Sequence, residues 1–167
     1  RWIGETLAAI DALEGGQGPE TLRGRVTREG WVAMGHSTGG GAAFGACARD
    51  RACAGVVGLD PWMLPTPPDL LEAGLDVPVA ALFSDQALEF FEPINRMGYD
   101  LLAAATERND APSFAVAYAG VGHMDFADVA LLSPIASQLG LYVGSMRGED
   151  VIALVRSDVL RLVNDVR

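Results

Sequence analysis

Apolar positions along the chain follow two rhythms. In "RWIGETLAAIDALEGG", Ile3, Leu7, Ile10 and Leu13 recur at helical spacing, which predicts an amphipathic first helix. The runs "WVAMGH", "ACAGVVGLD", "VPVAALFS" and "SFAVAYAG" are instead short and continuously apolar. They read as buried strands near residues 30–36, 53–59, 77–84 and 113–119. The stretches between them have helical character. "STGGGAAFGACARD" predicts a helix of small residues, and residues 86–107 a mainly helical segment interrupted near Pro93. Residues 126–141 predict a helical stretch broken at Pro134, and "EDVIALVRSDVLRLVNDV" a closing helix. "PWMLPTPPD" is expected to be loop, because its prolines lock φ and remove backbone donors.

Short apolar strands alternating with helices predict an α/β fold, with a parallel sheet covered by helices on both faces. Functional sites in such sheets form at the carboxyl ends of the strands. Ser37, Asp60 and His123 fall at or just past the ends of three different predicted strands.

Composition narrows the class. With 167 residues, half of them hydrophobic, the chain suffices for one domain with a real core. The longest apolar runs fall short of the roughly 18 residues of a membrane span. A net charge of −10 argues against a nucleic-acid partner and against an electrostatic grip on anionic lipid, while leaving room for apolar contact with a lipid surface. Cys47 and Cys53 lack a second cysteine pair or a nearby histidine that would complete a metal set. They read either as two small buried residues or as a local disulfide across the turn "ARDRA". The chain opens at Arg1, inside the first helical pattern, as a piece cut from something longer would. Any leader peptide would lie upstream of it.

The most informative stretch is "VAMGHSTGGGA" at residues 32–42. A serine hydroxyl is a poor nucleophile at neutral pH; it needs a base within hydrogen-bond reach, and the base needs an orienting carboxylate. A G-x-S-x-G pentapeptide between a strand and a helix is the nucleophile elbow, in which a strained serine backbone requires small neighbours. Gly35 and Gly39 are expected to supply that lack of bulk, and Gly40 to let the following helix pack closely. The competing reading of Ser37 is a glycine-rich turn that caps a helix. For Asp60 it is a turn-initiating residue before Pro61, and for His123 a surface histidine. The only other histidine, His36, adjoins Ser37, and strand alternation directs its ring elsewhere, so a structural role is expected for it. That leaves His123 as the candidate base. Two aspartates compete to orient it. Asp60 is stiffened and shielded by Pro61 and Trp62, while Asp85 precedes a helix and reads adequately as an N-cap.

"GHSTGG", "GLDPWMLP" and "GHMDFAD", in that order, resemble the plasma and bacterial branch of the platelet-activating factor acetylhydrolases, a family of α/β-hydrolases. "LRGRVTREGWVAMGHSTGG" resembles the family's approach to its elbow, and the similarity extends into the C-terminal helix. The resemblance implies the C-terminal half of an α/β-hydrolase over residues 1–167, with the first strands and the oxyanion loop lacking a counterpart. It implies Ser37 as nucleophile, Asp60 as acid and His123 as base, and the Thr38 N–H as one oxyanion donor. No metal or cofactor is implied. The implied substrates are small esters and phospholipids with short or oxidised acyl chains. Trp62, Met63 and Leu64 are expected either to line an acyl pocket or to serve as plain loop packing. In the resembling family a helix near "VALLSPIASQLGLYV" helps the enzyme sit on lipid aggregates. Leu131, Leu132, Ile135 and Leu139 are the matching apolar positions, with ordinary core packing as the alternative. Two other functions compete: a cutinase-like polyester hydrolase on the same fold, with its acid after the next strand, and a catalytically silent hydrolase fragment.

Overall fold

The computed structural model of the chain describes residues 1–64, 66–90, 100, 102–103, 107, 111–132, 139 and 141–166. Strands β1 (Trp31–His36), β2 (Cys53–Leu59), β3 (Val79–Ser84) and β4 (Phe114–Tyr118) form one parallel sheet in the order β1-β2-β3-β4. All four lie where the apolar runs predict them. Side chains alternate across the pleat, so each strand feeds two cores. On one face Ala33, Val56, Val79 and Ala81 pack with Phe44, Cys47 and Met63. On the other, Val57, Leu59, Ala80 and Leu82 pack with Val151 and Leu162. Both faces are therefore covered, as continuous apolar strands require.

Helix α1 (Trp2–Glu14) packs on α2 (Thr38–Cys47), where a Cβ on Gly45 would collide with the Ile3 side chain. Residues Gly40–Cys47 of α2 are all buried, so a helix of glycine and alanine is here a helix with protein on every side. Helix α3 (Pro68–Ala73) starts inside the proline-rich stretch expected to be loop. A proline is tolerated in a helix's first turn, where its missing N–H would have no partner anyway. Helix α4 (Asp85–Phe90) follows β3 directly. Pro93 and most of residues 91–110 lie outside the described residues.

The region after β4 departs from expectation. Within the stretch expected to be helical and broken at Pro134, a 3-10 turn covers His123–Phe126 and α5 covers Val129–Leu132, while Leu139, Leu141 and Tyr142 are not helical. Pro134 and Ile135 lie outside the described residues. The cause is packing between two backbones. The Met124 N–H donates to the Tyr142 carbonyl at 3.0 Å and the Met146 N–H to that of Gly120 at 2.8 Å. A Cβ on Gly144 would lie 2.1 Å from the Gly120 oxygen. The closing helix α6 (Gly148–Asp165) has Glu149 and Asp150 in its first turn, where the helix dipole favours negative charge. Among the described residues no helix is long and apolar enough to cross a membrane.

Of the two readings of the cysteines, the structure shows the disulfide. Cys47 ends α2, Cys53 begins β2, and the two are bonded. The turn between them is held a second time by Asp50, whose carboxylate accepts from Arg28 (2.9 Å), the Trp31 indole (3.0 Å) and the Ala52 N–H (3.0 Å). Burial alone would raise the Asp50 pKa, but these donors outweigh it and hold the carboxyl below its ordinary range.

Candidate active site

Each predicted site residue sits just beyond or beside a strand, and the sheet's hydrogen-bond ladder runs on into these loops. The Ser37 N–H donates to the Leu59 carbonyl at 3.0 Å, the Asp60 N–H to Leu82 at 2.7 Å, and the Asp85 N–H to Val121 at 3.1 Å. The carboxyl ends are thus locked to one another before any side chain contributes.

Ser37 has φ of 55° and ψ of −124°, a left-handed backbone that an L-residue adopts only when its surroundings impose it. What imposes it is the lack of bulk around it. A Cβ on Gly35 would lie 2.2 Å from the Gly39 carbonyl oxygen, and one on Gly41 2.2 Å from that of Trp62. Gly40 faces Pro61, with 2.8 Å to the proline Cα. Gly39 departs from expectation: a Cβ there would meet nothing within 4 Å, so its small size serves no contact within the chain. The Ser37 carbonyl accepts from Gly40 (2.9 Å), Gly41 (3.3 Å) and, across the loop, the Trp62 N–H (2.8 Å). This last bond joins the serine's turn to the loop that carries Asp60. Thr38 opens α2, where a helix leaves its backbone N–H groups without intrahelical partners.

Asp60 is 1% exposed and also has positive φ, 45°. Its carboxylate is fully engaged. Oδ1 accepts from the Ser84 N–H at 2.6 Å, and Oδ2 accepts from the Ser84 hydroxyl and faces His123 Nδ1 at 3.0 Å. Asp60 and His123, 63 residues apart, are therefore in direct contact. Ser84 was not anticipated. It ends β3, next to β2 in the sheet, and its hydroxyl also accepts from the Ala87 N–H at 3.0 Å. Ser84, rather than Asp85, thus caps α4. The Asp85 carboxylate instead accepts the Gly120 N–H at the head of the histidine loop.

That loop rests on a second carboxylate. Asp125 is buried, and its Oδ2 accepts from the Gly122 N–H at 2.7 Å and the Gly144 N–H at 2.8 Å. The His36 ring does not point away from the site as alternation suggests. It lies against the His123 ring, centroids 4.5 Å apart and planes inclined by 42°. Burial, then the nearby charge of His123, push the His36 pKa below the usual histidine value, against the pull of a hydrogen bond to the His123 backbone and of the Asp60 charge.

The residues expected to form an acyl pocket do not act together. Met63 is 1% exposed and belongs to the core with Phe44 and Val56, so it lines no pocket. The loop turns inward at this residue, as the Thr66 hydroxyl bonds back to the Gly41 carbonyl at 2.9 Å. Trp62 is half-buried, and Leu64 is 52% exposed.

A family model described as platelet-activating factor acetylhydrolase, isoform II, matches residues 4–156. No curated protein matches the chain. Among solved structures, a ferulic acid esterase from Streptomyces cinnamoneus is similar at a TM-score of 0.71 and 22% identity, over 98% of this chain and 46% of that one. A dienelactone hydrolase from Anabaena variabilis is similar at a TM-score of 0.51 and 23% identity, over 84% of this chain and 57% of that one. The chain therefore spans about half the length of these structures. The likeness gives the fold: α/β-hydrolase.

Proposed function

Because the chain belongs to the platelet-activating factor acetylhydrolase family, isoform II, we propose that it carries the nucleophile, acid and base of a serine esterase acting on short-chain carboxylic esters or phospholipid sn-2 esters. The observation that carries this reading is the contact of His123 Nδ1 with the buried Asp60 carboxylate at 3.0 Å, at the sheet end that also holds Ser37 in a left-handed turn. In the reaction the Ser37 hydroxyl attacks the ester carbonyl as His123 Nε2 takes its proton. Asp60 holds the ring in the tautomer with hydrogen on Nδ1 and stabilises the imidazolium. The Thr38 N–H donates to the oxyanion that develops. Collapse breaks the ester C–O bond, and His123 returns the proton to the leaving alcohol. Water, deprotonated by His123, then attacks the acyl-enzyme and releases the acid with Ser37 restored.

The polyester-hydrolase reading would place the acid after β3, at Asp85. The Asp85 carboxylate is bonded to the Gly120 N–H, which supports Asp60 instead. Asp60→Asn is expected to lower kcat by about three to four orders of magnitude, as when the base is held in the wrong tautomer. Asp85→Asn should leave kcat within about tenfold and cost about 1 kcal/mol of stability. An essential Asp85 with a dispensable Asp60 would overturn the assignment.

A transient contact with a lipid surface belongs to the same proposal. Leu131 is 50% exposed and Leu139 62% exposed, and Leu141 and Tyr142 are exposed beside them. Liposome co-sedimentation tests it: Leu139→Asp should reduce partitioning, and unchanged partitioning of the folded variant would refute the contact.

A further inference from the structure

His36 is an ionisable side chain at the site that the proposed chemistry does not use. Its surroundings are unusual. The ring packs on the His123 ring at 4.5 Å and faces Phe126 at 6.1 Å. Among the described residues its Nε2 is buried without a hydrogen-bond partner. A buried polar atom left unpaired carries a desolvation cost, which the packing around the ring has to offset. The same chain segment fixes the nucleophile, since His36 and Ser37 are adjacent and the Ser37 N–H is held on Leu59.

We propose that His36 is a positioning residue for the base: its ring backs His123 and leaves that imidazole one orientation, with Nδ1 on Asp60 and Nε2 directed to the nucleophile's side. The inference rests on the serine-esterase reading above and deepens it.

Two physical consequences follow. First, a hydrogen bond at one ring nitrogen leaves an imidazole room to rotate about it. A second contact against the ring face removes that freedom, and small losses of alignment are costly: a misplacement of about 1 Å can cost about 100-fold in rate. Second, His36 must stay neutral. His123 becomes an imidazolium during each acyl transfer, and a second charge in a ring 4.5 Å away would oppose it. The ionisable groups that bear on His36 are His123 and Asp60. Burial and the former push its pKa below the usual histidine value, which favours the neutral ring.

The test compares His36→Ala, His36→Phe and Ser37→Ala in the protein, on a soluble short-chain ester, with KM and kcat measured separately over pH. His36→Ala is expected to lower kcat by about 10- to 100-fold with KM within about twofold. His36→Phe, which restores a ring against His123, should recover at least a third of the wild-type kcat. A kcat for folded His36→Ala within twofold of wild type, or a loss confined to KM, would overturn the proposal. If His36→Ala does not fold, ring NMR of the wild-type protein decides. The proposal requires cross-relaxation between the His36 and His123 ring protons, and its absence would overturn it. Ser37→Ala separates the two levels: retained turnover there removes the esterase reading itself, whereas its loss beside an unaffected His36→Ala removes only the role of His36.

Discussion

The proposed nucleophile and the proposed base are held by different means. Around Ser37 the chain is shaped by what is missing: Gly35, Gly40 and Gly41 let backbone meet backbone at distances no Cβ allows. Around His123 the chain is shaped by carboxylates. Asp85 takes the Gly120 N–H, Asp125 takes those of Gly122 and Gly144, and Asp60 takes the ring. The first arrangement is steric, so it is indifferent to pH and intolerant of volume. The second is just as tight, since a Cβ on Gly122 would lie 2.3 Å from the Tyr142 oxygen and one on Gly144 2.1 Å from that of Gly120, and it adds ties to carboxylates that acid neutralises. A strained turn needs close packing to persist, whereas a base needs a loop whose position is set without walling off substrate.

Substitutions that exchange the two modes test this contrast. The largest effect is expected at Gly35→Ala. Its methyl would have to displace the backbone of the helix's first turn, for a loss of at least about 3 kcal/mol by thermal or urea unfolding, together with activity. A Gly35→Ala protein of wild-type stability would break the steric half of the comparison. Next comes Asp125→Ala, which strips two buried backbone N–H groups of their acceptor and should cost about 2–4 kcal/mol. If this variant kept both its stability and its kcat, the carboxylate half would fall. Replacing Cys47 and Cys53 together by alanine opens a short loop and should cost about 2 kcal/mol while sparing kcat, because the bond lies at the far end of α2 from Ser37.

Smaller still is the pH effect of His36. Its folded pKa is depressed, so the folded state resists the proton that the unfolded chain accepts near pH 6.5. The stability this represents is present above that pH and is lost as pH falls through the window below it. His36→Phe should flatten the acid slope of stability by up to about one proton, and an unchanged slope would mean that the ring is not desolvated. The smallest effect is expected at Gly39→Ala, where a methyl meets nothing and stability should stay within about 1 kcal/mol of wild type. A large loss there would mean that Gly39 is constrained after all.

The same contrast explains what could be read from residue order. Strands appear as apolar runs because both faces of the sheet are covered, and the elbow appears because steric intolerance leaves glycines at fixed offsets. Asp60 was legible through its neighbours Pro61 and Trp62. Contacts made across strands were not. Ser84 meets Asp60 only because β3 lies beside β2, and "FSD" carries no sign of which residue caps the helix and which holds Gly120. Alternation says on which face of β1 the His36 ring begins, but not that a loop from residue 123 closes over it. For Met63 the order left pocket lining and loop packing both open, and only the fold puts it in the core with Phe44 and Val56. The helical stretch expected over residues 126–141, broken at Pro134, is seen at Val129–Leu132 but not at Leu139 and Leu141, and its apolar spacing carries no trace of the backbone pairing of Met124 with Tyr142.

The central claim is that Ser37 is an activated nucleophile whose base is oriented by Asp60. Covalent labelling by a fluorophosphonate ester, followed by peptide mapping, tests it most directly. The account predicts one phosphonylated residue, Ser37, with labelling abolished in Ser37→Ala, slowed at least about 100-fold in Asp60→Asn and nearly unchanged in Asp85→Asn. A folded protein that takes up no label, labels at another residue, or labels at the same rate without Asp60 would contradict it.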